Sequence, residues 1–176
     1  VKADCRDVRV AMNVSPRELE AGDIDDMVLN GLAAKGLPAT MFEIEITEEA
    51  PVDPDRVDEK LGRLSHAGIS IALDDFGTGF STLASLKDRR IRKLKLDQGF
   101  IRGLAKSRED RLLVKTVIDL GRTLGIDVVA EGVETEADRQ TLQKLGCRTA
   151  QGFLFSKAVP PGQALELAVK EHAKES

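Results

Sequence analysis

The feature that most constrains this sequence is a repeated alternation of short β-rich runs with helical stretches. The runs are VRVAMNVS (8–15), FEIEITE (42–48), ISIALDDF (69–76), IRKLKLD (91–97), DVVAEGV (127–133) and RTAQGFLF (148–155). Helix-start chemistry follows several of them. Ser15-Pro16 with Glu18 supplies an N-cap, a proline at the first helical position and a capping-box acid; Asp53-Pro54 and Thr135 with Asp138 repeat that logic. Gly36, Gly68, Gly125 and Gly146 stand where a helix closes into the next strand, the position that needs a left-handed residue. Strands joined by helical crossovers lie parallel, and no linker or low-complexity tract interrupts the series. The expectation is one α/β domain over residues 1–176.

An open doubly wound sheet and a closed barrel both satisfy this pattern. Strand polarity separates them. In FEIEITE, Ile44 and Ile46 share one face while Glu43, Glu45 and Thr47 share the other. Leu94 and Leu96 oppose Lys93, Lys95 and Asp97; Ile69, Ile71 and Leu73 oppose Ser70, Ala72 and Asp74. Strands covered by helices on both faces should be apolar on both. One greasy face and one small or polar face fit a (β/α) barrel whose interior leads to a polar site at the C-terminal strand ends. Leu112, Leu113, Val117, Ile118, Leu120 and Leu124 form a broad apolar stripe at helical spacing, predicted to pack on the sheet.

Composition removes several classes of function. The net charge is −4 with a pI near 5.3, so no basic footprint for a nucleic acid polymer exists. No apolar run is long enough to span a membrane, and the two cysteines, Cys5 and Cys147, suit a reduced, cytoplasmic chain. His66 and His172 lack zinc-ligand spacing, so any metal would be held by oxygen.

Nearly every strand ends in groups able to do chemistry: Asn13; Glu45 and Glu48; Asp74 and Asp75; Lys95 and Asp97; Glu131 and Glu134; Gln151. Singly, such acids are ordinary helix caps or turn residues, and Lys95 alone reads as a rim lysine or a Schiff-base nucleophile. Inward parity, however, brings Glu45, Asp74, Asp97 and Glu131 to one mouth. Carboxylates packed together raise one another's pKa unless a cation compensates, and hard divalent ions are the usual compensation. The stretch Phe76-Gly77-Thr78-Gly79, directly after the paired aspartates, reads as a flexible loop beside that mouth or as a glycine-rich turn into a helix capped by Ser81.

With these residues in place, the sequence resembles the EAL domain of cyclic di-GMP phosphodiesterases, from about Val8 to the end. The matching motifs are Asn13-Val14-Ser15, Glu45-Ile46-Thr47-Glu48, Asp74-Asp75-Phe76-Gly77-Thr78-Gly79-Phe80-Ser81, Lys95-Leu96-Asp97, Val129-Ala130-Glu131-Gly132-Val133-Glu134-Thr135 and Ala150-Gln151-Gly152-Phe153. The resemblance implies a TIM-like barrel with two Mg²⁺ or Mn²⁺ ions at its mouth. By motif position it makes Asn13, Glu45 and Asp74 ligands of one ion, and Asp74, Asp75 and Glu131 ligands of the other, with Asp97 close by. It implies hydrolysis of cyclic di-GMP to linear pGpG, with Lys95 and Glu131 as the catalytic pair. Gln151 and Glu134 would contact nucleotide or support the site, and Glu48 would anchor the glycine-rich loop.

Departures from the family pattern shape further expectations. The Glu-Ala-Leu tripeptide that names the family does not occur, and six strands are legible where a barrel has eight. The expectation is an EAL-type domain lacking its first strands and helices. Gly99 stands where the family usually has serine. The resemblance also implies a homodimer, an upstream sensory or GGDEF domain, and a cytoplasmic setting. The alternative reading is a non-catalytic cyclic di-GMP receptor or dimerisation module.

Overall fold

The computed structural model describes residues 8–47, 53–78 and 85–175; Cys5, Glu48, Gly79 and Ser81 lie outside them. Six strands, β1 Val10–Asn13, β2 Phe42–Thr47, β3 Ser70–Phe76, β4 Ile91–Leu96, β5 Asp127–Ala130 and β6 Thr149–Ala150, alternate with helices. These are α1 Pro16–Ala21, α2 Ile24–Lys35, α3 Pro54–His66, α4 Gln98–Ile101, α5 Arg108–Leu124, α6 Glu136–Leu145 and α7 Pro161–Glu175.

Every strand pair is parallel, and the spatial order β1-β2-β3-β4-β5-β6 follows the chain without reversal. A doubly wound sheet reverses its order at a switch point. This sheet instead winds in one direction into a half-barrel, with β1 and β6 each paired on one side only among the described residues.

Strand polarity explains the layering. Ile44, Ile46, Ile71, Leu73, Leu94 and Leu96 are buried on the outer face, where they join Leu61 and Leu64 of α3, Val114 and Ile118 of α5 and Leu142 of α6 in one core. The inner face carries Glu43, Lys93 and, nearer the mouth, Glu45, Asp74 and Lys95. The helix signals behave as the local chemistry requires. Ser15 and Glu18 form a reciprocal capping box, Asp53 accepts from Arg56 N–H at 3.1 Å, and Thr135 accepts from Asp138 N–H at 3.1 Å. Gly36, Gly125 and Gly146 close their helices in the left-handed conformation, while Gly68 sits one residue beyond the cap Ala67.

Two expectations are corrected. The α5 stripe is not all core: Ile118 is buried and Val117 and Leu120 pack partly buried against the core, but Leu112, Leu113 and Leu124 are exposed. The apolar arc of this amphipathic helix is wider than the sheet it covers. The run 148–155 forms a two-residue strand, Thr149–Ala150, before the chain turns. Gly152 lies so near the Val133 backbone that a Cβ would overlap it, so from Gln151 onward the segment packs as a turn. The ladder persists through single bonds: Glu131 N–H to Leu96 O at 3.1 Å, Gln151 N–H to Ala130 O at 2.8 Å, and Val133 N–H to Gln151 O at 3.0 Å.

Candidate active site

The C-terminal ends of the strands converge on one ammonium. Lys95 Nζ on β4 lies 2.7 Å from Glu45 Oε2 on β2, 3.0 Å from Asp74 Oδ1 on β3 and 2.8 Å from Glu131 Oε1 just past β5. Gln151, after β6, donates from Nε2 to the same Glu131 oxygen at 2.5 Å. Asn13 closes the arc from β1, in register with Glu45. With its amide nitrogen turned inward it donates to Asp74 Oδ2 and Glu45 Oε2, both at 3.2 Å; turned the other way, its oxygen joins theirs as a hard donor.

Asp75 reaches this mouth by a backbone device. Strict alternation would send Asp74 and Asp75 to opposite faces. The β3–β4 register slips between Leu73 and Phe76, and Asp75 adopts φ 52°, the one positive-φ residue other than glycine among those described. Aspartate tolerates that region better than most side chains. The turn is held by Asp75 N–H to Asp74 Oδ1 at 2.9 Å and by the Thr78 hydroxyl donating to Asp75 O at 3.1 Å. As a result, oxygens of Asp74, Asp75 and Glu131 all lie within 4.8 Å of one another.

The electrostatics follow from one ammonium among four carboxylates. Burial alone would lower the Lys95 pKa, but its hydrogen bonds to Glu131, Glu45 and Asp74 outweigh that and hold it well above the ordinary lysine value. Schiff-base chemistry needs a neutral amine, which this raised value disfavours. Burial raises Glu131 above the ordinary glutamate value, with Lys95 opposing and Asp74 and Glu45 adding to the rise. Burial, then the charges of Asp74 and Asp97, raise Asp75 despite Lys95.

The remaining expected residues fall around this centre. Asp97 lines the same mouth, but its Oδ1 folds back to accept Gly99 N–H at 2.8 Å, capping α4. A Cβ at Gly99 would meet that oxygen at 2.8 Å, so the missing side chain makes room for the cap. Glu134 lines the mouth and pairs with Arg102 at 3.4 Å. Phe76 is buried, and Gly77 (φ 102°) lies against the Phe100 ring, where a Cβ would overlap it. Two charged mouth residues escaped the sequence reading, Arg102 past α4 and Lys157 past β6. Arg102 sits in a turn and Lys157 in irregular chain, where no periodicity marks a direction.

The donor set suits an oxygen-loving divalent cation. It consists of carboxylates and one amide, with no Cys or His, and its negative excess is what such an ion would neutralise.

A parallel half-barrel with a carboxylate-rich mouth defines a TIM-like (β/α) domain with a candidate cation site, and comparison with known proteins specifies which. The EAL domain family matches residues 2–158, and the chain belongs to that family. It is 40% identical over 160 residues to the bifunctional diguanylate cyclase/cyclic di-GMP phosphodiesterase MucR of Pseudomonas aeruginosa, covering 90% of this chain and 23% of MucR. The chain spans 21–26% of the length of the first curated relatives it matches. The EAL domain of Mycobacterium smegmatis DcpA superposes with a TM-score of 0.88 at 37% identity, covering 94% of this chain and 74% of that one. Klebsiella pneumoniae BlrP1, solved with manganese and cyclic di-GMP, superposes at 0.78 with 36% identity, over 85% of this chain and 38% of BlrP1.

Proposed function

We propose that this chain is a metal-dependent phosphodiesterase domain that hydrolyses cyclic di-GMP to linear pGpG with two Mg²⁺ or Mn²⁺ ions. The observation that carries the reading is the convergence of Asn13, Glu45, Asp74, Asp75 and Glu131 around Lys95. These residues would hold the ions, with Asp97 available beside them. When bound, such cations polarise phosphoryl oxygens and lower the pKa of an attacking water.

The chain's own groups supply the rest. Burial raises the Glu131 pKa, which suits a proton acceptor; Lys95 and Gln151 both engage its Oε1, so Oε2 would take the proton. Lys95, its pKa raised by hydrogen bonds to three carboxylates, is a preorganised positive charge for the anionic phosphorane. In the reaction, water oxygen bonds to phosphorus as its proton passes to Glu131, the bond from phosphorus to one ribose oxygen breaks, and that oxygen takes up a proton from solvent. A homodimer, a cytoplasmic setting and linkage to a sensory or GGDEF module belong to the same proposal. MucR, named for a cyclase activity beside its phosphodiesterase, supports the linkage.

The test is incubation of the chain with cyclic di-GMP and Mn²⁺ or Mg²⁺, with chromatography for pGpG and EDTA as control. Metal-dependent pGpG is expected at a low rate, because the Glu-Ala-Leu glutamate that the resemblance counts as a metal ligand does not occur in this chain. Turnover that survives EDTA dialysis would overturn the metal mechanism, and binding without turnover would make the domain a receptor.

A further inference from the structure

A residue other than glycine at positive φ is disfavoured, and the conformation persists only where its surroundings fix it. Asp75 is such a residue. Within its turn, Asp75 O accepts the Thr78 N–H at 3.3 Å and the Thr78 hydroxyl at 3.1 Å. These bonds close the turn on itself, but they do not set where it stands relative to Glu131. A contact from another element does. Gly77, at φ 102°, has no side chain, and the three atoms nearest to where its Cβ would stand all belong to the Phe100 ring. The ring therefore fills that space, against the backbone two residues beyond Asp75.

Phe100 is itself held in place by α4. Its N–H donates to Asp97 O at 3.1 Å, Asp97 Oδ1 caps the helix through Gly99 N–H at 2.8 Å, and the next residue, Ile101, is fully buried. Phe100 and Gly77 also border an apolar cavity of about 270 Å³, walled by Leu96 of β4 and by Val114 and Val117 of α5. Interiors are otherwise close-packed, so a turn beside such a hollow has room to sink unless a side chain blocks it. We infer that Phe100 is a positioning residue for Asp75. By backing Gly77 it holds the turn that keeps the Asp75 carboxylate within 4.8 Å of those of Asp74 and Glu131. This inference rests on the reading of those carboxylates as cation ligands. Phe100 acts through the backbone alone, as groups behind a metal ligand do when they orient it.

Calorimetric titration of Mn²⁺ into the metal-free chain, at a temperature where circular dichroism shows each variant folded, reads the effect without turnover. Phe100→Ala should weaken Mn²⁺ binding about ten- to a hundredfold, and Phe100→Leu, which keeps an apolar side chain behind Gly77, should lose less. Asp75→Asn should weaken it too. Adding Phe100→Ala to Asp75→Asn should then change the affinity by less than about twofold, because both substitutions act on one ligand. Ile118→Ala is the control: it empties core volume on α5 away from the turn, so it should lower the melting temperature and leave Mn²⁺ affinity within about twofold. Should Phe100→Ala fail to fold, Phe100→Leu takes its place in the same cycle. Unchanged affinity in the Phe100 variant, full additivity with Asp75→Asn, or an equal loss in Ile118→Ala would overturn the positioning role alone. Failure of the unaltered chain to bind Mn²⁺ would overturn the cation reading and the positioning role together.

Discussion

Two layers of the same barrel interior use the same residue types to opposite ends. In the lower layer Glu43 of β2 meets Lys93 of β4 at 2.6 Å, with Arg9 a second cation at 3.7 Å. In the upper layer, two residues along each strand, Glu45 meets Lys95 at 2.7 Å, but Asp74 and Glu131 share that ammonium at 3.0 and 2.8 Å. The lower layer therefore gives one carboxylate two cations, and the upper gives one cation three carboxylates. Glu43 is only 2% exposed, and its Oε2 has no hydrogen-bond partner among the described residues. The upper layer borders the open mouth. A buried ion pair by itself says little about function, since pairs of this kind are often neutral to stability. What marks the upper layer is its surplus of charge, which the chain alone does not balance.

The largest expected effects break this comparison at the upper layer. Glu131→Gln should lower turnover by about 10³-fold, since it removes the proton acceptor and a carboxylate donor together. Lys95→Met should cost about 10²- to 10³-fold by removing the positive charge set opposite the developing phosphorane. Hydrolysis of cyclic di-GMP under saturating Mn²⁺ measures both. Either variant keeping more than a tenth of normal turnover would show its role misassigned.

The lower layer should respond in stability instead. Lys93→Met strands Glu43, at a cost of about 2–3 kcal/mol, less than for a fully buried pair because Lys93 keeps some water and Arg9 stands by. Turnover per folded molecule should be unchanged. Adding Glu43→Leu to Lys93→Met removes both charges and should restore most of that stability, because apolar replacement of a buried pair is tolerated. Urea melts of the three proteins check this. A double variant no more stable than the single would mean the lower pair does more than balance charge.

The comparison also shows what could be read in advance. Period-2 alternation in FEIEITE and IRKLKLD put Glu43, Glu45, Lys93 and Lys95 on one face, and their contacts across β3 bear this out. Alternation could not bring Asp75 beside Asp74, because the left-handed turn that does so arises from a register slip between strands. Nor could it mark Arg102 and Lys157, which the fold, not local pattern, carries to the mouth. The stripe on α5 was legible as helix but overstated as core. Spacing reports which residues share a side, while neighbours decide how much of that side is covered.

Cation binding should separate the layers without any mutation of the lower one. An ion at a hundred times its dissociation constant adds about 2.7 kcal/mol, which raises the melting temperature by roughly 5–10 °C for a chain of this size. The Lys93→Met variant should keep that rise and Asp74→Asn should lose it. A rise that persists in Asp74→Asn would place the ion elsewhere.

The smallest effect is one of pH, and it follows from the surplus itself. Burial and neighbouring carboxylates hold Glu131 and Asp75 above their ordinary values. A carboxyl raised on folding stabilises the fold in its protonated state. That contribution is complete below the ordinary carboxyl pKa, about 4, and disappears as pH rises through the raised value. At neutral pH the metal-free chain therefore carries ionised groups that its own fold disfavours. Glu131→Gln removes one of them, so the metal-free variant should melt above the unaltered chain at pH 7.5. The gap should narrow as pH falls toward 4, because the glutamate then approaches its neutral form and resembles glutamine. Taking the difference between the two proteins cancels the acid sensitivity of every other carboxyl. Saturating Mg²⁺ should close or reverse the gap at pH 7.5, where the ionised glutamate becomes an asset. A gap that stays constant from pH 4 to 7.5 would mean Glu131 is not strained by its neighbours, and the upper layer would then differ from the lower in composition but not in energy.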